Sequence, residues 1–198
     1  MVEDPGVAVT VVGRGDLDDL ALLFQRDRST RSCWCTAFCS TRRQFAFGWV
    51  TGRNRRHFEA LAQHGAAMGV LAWVDGQPVG WGACGPRSRY TAARAGRSAL
   101  LDPLDRSEDD DVWLVPCLYV RADHRGRGLT GALVRAAVDV ARQHGARAVE
   151  GWPVSGSDPQ PAGDFVGRES VFAAAGFGCV ARPQDGRVIM RHELGTRI

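Results

Sequence analysis

The chain contains no lysine; all 25 of its basic residues are arginine. A lysine Schiff base is therefore excluded from any mechanism. No stretch approaches the roughly 18 apolar residues that a membrane-spanning helix needs. The N-terminal run MVEDPGVAVTVVGRGDLDD carries acids where a signal peptide has basic residues, so a cytoplasmic protein is the expectation. The net charge of +3 is too small to mark a nucleic-acid binder. The arginines are spread over the whole chain rather than gathered on one helix. Neither nucleic acid nor a membrane is expected as a partner.

Also missing is a second cysteine pair. Cys33-x-Cys35-x3-Cys39 with His57 downstream invites zinc, but C-x-C is tighter than structural zinc sites use. No metal is expected. The six cysteines are scattered and lack a secretory context, so a disulfide framework is not expected either. Cys84, Cys117 and Cys179 stand in apolar, strand-like runs and are expected to be small core residues.

What is present suits one soluble domain over residues 1–198. The hydrophobic share is 44% and the charged share 24%, enough to bury a core. No linker or internal repeat divides the chain.

Val7 to Gly13 alternates toward a strand. Asp16 is placed to cap a helix that has Asp18 and Asp19 in its first turn and then the apolar run Leu20 to Phe24. Arg26 to Gly52 shows no clean period. Asn54 is placed to cap a further helix ending near Gly65. Gly69 to Gly76 and Gln77 to Cys84 flank Asp75-Gly76, a hairpin signal. Arg87 to Asp110 is polar and reads as a surface excursion. Val112 to Val120 is a near-continuous apolar run, as in a central strand, and Pro116 within it predicts a bulge. Thr130 to His144 has a helical apolar stripe closed by Gly145. Arg147 to Val154 is a strand, Ser155 to Gly163 a loop and Arg168 to Ala175 a short helix. Phe177 to Ala181 and Arg187 to His192 make a closing strand pair around Asp185-Gly186. The predicted order is β-α-α-β-β-β-α-β-α-β-β.

The most informative segment is Arg125-Gly126-Arg127-Gly128-Leu129-Thr130-Gly131, set between a strand and the best helix. A helix N-terminus leaves unpaired N–H groups and partial positive charge, so it attracts phosphate. Glycines let an anion approach the backbone. Gly126, Gly128 and Gly131 satisfy the dinucleotide spacing, and Glu150 lies near the expected acid offset. A nucleotide-dependent oxidoreductase fails on context, because that fingerprint follows the first strand of a βαβ array. The alternative is a plain Gly-rich strand-to-helix turn.

LYVRADHRGRGLTGALVRAAVDVARQHGA resembles the acetyl-CoA motif of the GNAT (Gcn5-related N-acetyltransferase) superfamily. Arg125, Gly128 and Thr130 stand at the matching positions of its R/Q-x-x-G-x-G/A turn; Thr130 departs from the usual Gly or Ala. Ser170 to Phe177 resembles the family's helix ending in Gly-Phe, and the hairpin resembles its second and third strands. The likeness runs from about residue 67 to residue 192. It implies an α/β fold of the α+β kind, a central mixed, mostly antiparallel sheet flanked by helices. It implies acetyl-CoA or another short acyl-CoA held by Leu118, Tyr119, Val120, the turn from Arg125 through Gly126, Arg127, Gly128, Leu129 and Thr130 to Gly131, and Phe172. Backbone N–H groups of Leu118 to Val120 would polarise the thioester carbonyl. A homodimer is the family's common form.

Acyl transfer needs a neutral amine, a polarised carbonyl and a proton for the thiolate. Two usual family groups are absent. The tyrosine position is occupied by Phe172, and the central strand has no glutamate. Ser170, Tyr119 and Glu150 are the remaining catalytic candidates. Glu150 is equally readable as a base, as an anchor for a cationic acceptor, or as a partner for an arginine such as Arg147 or Arg168. Trp34, Cys35 and Phe38, with Phe45, Phe47 and Trp49, suggest an aromatic acceptor wall, against which stands simple core packing. The acceptor is a small-molecule amine or a peptide amine. A CoA-binding sensor or interaction module without catalysis is the competing function.

Overall fold

The computed structural model describes residues 6–63, 67–92, 106–156, 165–183 and 186–195. One seven-stranded sheet runs through it in the order β1-β2-β3-β4-β5-β7-β6. The strands are β1 (Val7–Val12), β2 (Gly69–Val74), β3 (Gln77–Pro86), β4 (Val112–Val120), β5 (Ala148–Gly151), β6 (Gly178–Ala181) and β7 (Ile189–Glu193). β4 and β5 are parallel; every other neighbouring pair is antiparallel. The helices are α1 (Leu17–Phe24), α2 (Arg28–Cys33), α3 (Arg42–Thr51), α4 (Arg53–Ala62), α5 (Leu129–Gln143) and α6 (Glu169–Ala174). The mixed, mostly antiparallel sheet flanked by helices is the expected architecture.

The segment without a clean period, Arg26 to Gly52, holds two short helices, each built on a local cap. Asp27 Oδ1 accepts from Ser29 N–H at 2.8 Å and starts α2. Thr41 and Gln44 form a reciprocal capping box at the head of α3. Helices this brief show no readable apolar stripe, so their caps are the legible signal. Two expected caps act differently. Asp16 sits at the α1 N-cap position, but its carboxylate accepts from Gly13 N–H. Asn54 lies inside α4 and is buried, its amide donating to the Ser32 and Phe45 carbonyls and tying α4 to α2 and α3. The stop near Gly65 falls outside the described residues, as do most of the Ser155–Gly163 loop and Asp185.

Two cores sandwich the sheet. Leu129, Leu133, Val134, Ala137, Val138, Val140 and Ala141 of α5 pack on Val115, Leu118 and Val120 of β4. On the other face, Leu20, Leu23 and Phe24 of α1 and Phe58 of α4 enclose Trp34, Trp81, Cys117 and Tyr119. Cys179 departs from expectation: it lies exposed on the edge strand β6, whereas Cys84 and Cys117 are core residues. Arg87 also overturns a surface assignment, because it and Tyr90 are buried. Residues 93–105 of that excursion lie outside the description.

Candidate active site at the β4–β5 splay

Pro116 shapes the site. Across β3 and β4 the register steps between Ala83↔Cys117 and Gly85↔Leu114, so β4 carries a bulge there. The side chains after it change phase: Trp113 and Val115 face α5, Leu114 faces away, and then Cys117 and Tyr119 face the α1–α2 side while Leu118 and Val120 face α5. The parallel pairing of β4 with β5 runs from Val112↔Ala148 to Val115↔Gly151 and ends at this bulge. Beyond it, strand alternation aims the N–H groups of Leu118 and Val120 into the gap, while the Arg121 N–H turns back to the Val79 carbonyl of β3. The Leu118 N–H donates to the Phe165 carbonyl. Of the two amides that face the splay, Val120 is the one without an acceptor among the described residues.

The turn into α5 opens beside the end of β4. Gly126 and Gly128 hold φ of +77° and +75°, and a Cβ at either position would meet nothing within 4 Å. The backbone N–H groups from Gly126 to Gly131 find no protein acceptor among the described residues, while Ala132 N–H is the first to close a bond, onto the Gly128 carbonyl. Gly128 occupies the N-cap position without a side-chain cap. An anion-shaped cradle results: free donors, open space and the positive end of a 15-residue helix. Arg125 folds its Nε back onto the Val120 carbonyl at 3.2 Å. Its charge thereby joins the turn to the strand end. These features fit the pyrophosphate of an acyl-CoA.

Tyr119 lies where the two sides meet. Its ring packs edge-on against Phe165, with centroids 5.9 Å apart. Burial pushes its phenol up, and the Asp27 carboxylate adds to this, against the weaker opposing influence of Arg125 and Arg121. The phenol stays protonated at neutral pH. Asp27, from the α1–α2 segment, is held below the ordinary carboxylate range, first by the Ser29 hydroxyl and also by Arg125. It is half-buried and ionised. Asp27 and Phe165 were not among the sequence candidates. The cap pattern Asp27-x-Ser29 was visible; its proximity to Tyr119 was not.

Glu150 stands elsewhere. It pairs with Leu114, within the closed part of β4–β5, and is fully buried. Its Oε1 lies 2.8 Å from Arg87 Nη1 and 3.4 Å from Arg191 Nη1, and its Oε2 accepts from the Trp152 indole at 3.3 Å. Arg87 in turn reaches Asp109 at 2.7 Å, and Arg191 reaches Glu108 at 2.9 Å. Burial raises the Glu150 carboxyl, and the two arginines oppose that shift. Glu150 is thus an arginine partner, but to Arg87 and Arg191 rather than to Arg147 or Arg168. Arg147 instead meets Glu108 at 2.8 Å.

Phe172 is enclosed. A Cβ on Gly151 would come 2.1 Å from its ring, and Gly167, Leu118 and Phe177 complete the enclosure. Ser170 is exposed on the first turn of α6. Trp34 is buried between Phe24 and Phe58, with Arg55 over its face. Cys35 is buried beside it, and Phe38 bridges the clusters around Trp81 and Trp152. Phe47 and Trp49 lie exposed on α3, outside this group. The proposed aromatic wall therefore divides into a core part and a surface part. Cys33 and Cys39 are both pushed up to about 12, mainly by burial.

The structure resembles solved acetyltransferases. YncA of Salmonella typhimurium, a putative acetyltransferase with its cofactor acetyl-CoA, aligns with a TM-score of 0.55 at 16% identity, covering 97% of this chain and 96% of that one. An agmatine N-acetyltransferase aligns at 0.59 and 14% identity, over 95% and 100% of the two chains. The aminoglycoside acetyltransferase AAC(6')-Ib in complex with coenzyme A aligns at 0.53 and 18% identity, over 95% of each chain. At these identities the likeness establishes the fold. No curated protein shows significant sequence similarity. The sequence model of the acetyltransferase (GNAT) family matches residues 34–162, taking in α3 through β5 and the open turn before α5. With that match spanning more than half its length, the chain belongs to the acetyltransferase (GNAT) family.

Proposed function

We propose that the protein transfers an acetyl or other short acyl group from acyl-CoA to a small cationic amine by direct attack within a ternary complex, and that residues 1–198 act as one domain. The observation carrying this proposal is the turn from Gly126 to Gly131, with its N–H groups unpaired among the described residues and open space before Gly126 and Gly128. Acyl-CoA supplies the activated thioester; the turn holds its pyrophosphate, and Arg125 and Arg127 add charge.

In this scheme the Val120 N–H polarises the carbonyl. Tyr119, kept protonated by burial, donates to the departing thiolate. Asp27, ionised and close enough to Tyr119 to act on its phenol electrostatically, attracts the ammonium form of the acceptor. Its lowered carboxyl makes it an anchor rather than a strong base, so the amine sheds its proton to solvent before attack. Glu150, with both oxygens already held, serves as the counter-ion of Arg87 and Arg191. Phe172 packs the splay. Ser170, being exposed, has no assigned step. Agmatine and aminoglycosides, named for two of the structural neighbours, are both cationic amines and support that acceptor class.

The test is acceptor-dependent release of free thiol from acetyl-CoA, screened over agmatine, aliphatic polyamines, aminoglycosides and peptide N-termini. Turnover with a small cationic amine, and an acceptor KM raised by Asp27→Asn, is the expected result. Acetyl-CoA binding without stimulation by any amine would instead favour the sensor module.

A further inference from the structure

We propose that Cys35 and Cys117 form a reversible disulfide that joins the α2 end to β4 at the point where the sheet splays. Their sulfurs lie 3.3 Å apart in a buried contact. The Trp81 indole N–H points at the Cys35 sulfur from 3.1 Å and fixes it on the sheet face. Cys117 directly follows Pro116, so the bulge turns it toward the α1–α2 side.

The second observation is in the backbone. Trp34 and Cys35 are consecutive non-glycine residues in the left-handed region, with φ of 48° and 50°. Such residues are uncommon and carry strain, and here the turn sets the Cys35 side chain against Cys117 of β4. A disulfide needs a sulfur separation of about 2.05 Å, so the turn must advance by roughly an ångström. The turn lies between two short helices and is packed through Trp34, whereas β4 is paired along its length with β3, so the turn is the side that moves.

The hydrogen bond with Cys117, together with burial, pushes the Cys35 thiol well up, and neither cysteine is in a disulfide in the resting structure. Closing the pair needs a two-electron oxidant of the peroxide class, which must reach two buried sulfurs. One sulfur takes a peroxide oxygen as the sulfenic acid while the O–O bond breaks and water leaves. The second sulfur then attacks the first, forming S–S and expelling hydroxide, which takes up the second thiol's proton and leaves as water. A dithiol reductant reverses the step.

Cys117 adjoins Leu118, and the segment after Cys35 carries Phe38, so closure shifts the acceptor side against the acyl side. The turn at Gly126–Gly131 is not part of the linkage. The consequence for turnover rests on the proposed function; the linkage itself does not.

The experiment treats Cys179→Ser protein, which removes the exposed thiol, with hydrogen peroxide and maps peptides by mass. The expected product has lost two hydrogen atoms, carries a Cys35–Cys117 cross-link, and returns to thiols with dithiothreitol. Acetyl-CoA binding by calorimetry is unchanged, while amine turnover falls at least about tenfold, since misplacement by an ångström costs up to about a hundredfold. Cys35→Ala and Cys117→Ala each abolish the cross-link. Linkage of Cys33 to Cys39 instead, over-oxidation without a cross-link, or a peptide map that stays fully reduced would overturn the proposal. If the cross-link forms in a protein that acetylates nothing, the proposed function fails and the disulfide stands.

Discussion

At the scale of single residues, the proposed scheme separates the Asp27 charge, which binds the acceptor, from the Glu150 charge, which holds the sheet. Asn caps a helix as well as Asp, so Asp27→Asn keeps the start of α2 and removes only the charge. The expected outcome is an acceptor KM raised by about tenfold, or roughly 1.4 kcal/mol, with stability unchanged within about 0.5 kcal/mol. Tyr119→Phe should lower kcat by about 10²-fold or more, with acetyl-CoA affinity retained. Because the phenol is raised above 10, its loss of protonation sets no alkaline limit below that pH. Asp27 is lowered, so the anchor stays charged through the ordinary carboxylate range and fails only below it. With both groups constant near neutrality, kcat/KM should climb with pH toward the amine's own pKa, and a rate profile checks this.

Glu150→Ala leaves Arg87 buried with reduced compensation and should cost about 3–5 kcal/mol in denaturant unfolding. Glu150→Gln, assayed on folded protein, should keep kcat within its order of magnitude. A drop of about 10²–10⁴-fold would make Glu150 the base after all. Phe172→Tyr tests the family's usual acid position. Its ring is sealed against Gly151, so the added hydroxyl should destabilise by about 1–3 kcal/mol without raising turnover.

At the scale of elements, legibility followed length and pattern. β4, the β2–β3 hairpin and α5 were readable because a long apolar run, a turn dipeptide and a 3.6-residue stripe are local signals. The bulge at Pro116 was readable too, since proline removes a ladder donor. α2 and α3 were not, because stretches of six and ten residues with caps but no stripe give periodicity nothing to detect. The Arg87 network escaped for a different reason. Polar sequence reads as surface, yet three-dimensional pairing with Asp109 and Glu150 makes burial affordable. The electrostatic influence of Asp27 on Tyr119 escaped because it acts between the start of α2 and β4 across the fold. Gly151→Ala tests how tightly β5 and α6 are packed. Its Cβ would overlap the Phe172 ring, so a loss of about 1–3 kcal/mol by thermal or chemical unfolding is expected.

At the scale of the whole molecule, one sheet divides two tasks between its faces. The α5 face presents the anion cradle; the opposite face presents Tyr119 and Asp27. The splay after Val115↔Gly151 lets the two communicate through β4. The central claim is that the turn from Arg125 to Gly131 holds acyl-CoA. Calorimetry of acetyl-CoA with the natural chain and with Gly128→Arg tests it most directly, with circular dichroism confirming that both are folded. The account predicts micromolar binding, about −8 kcal/mol, for the natural chain and none for the variant. Absence of binding by the natural chain, or equal binding by a folded variant, would contradict it.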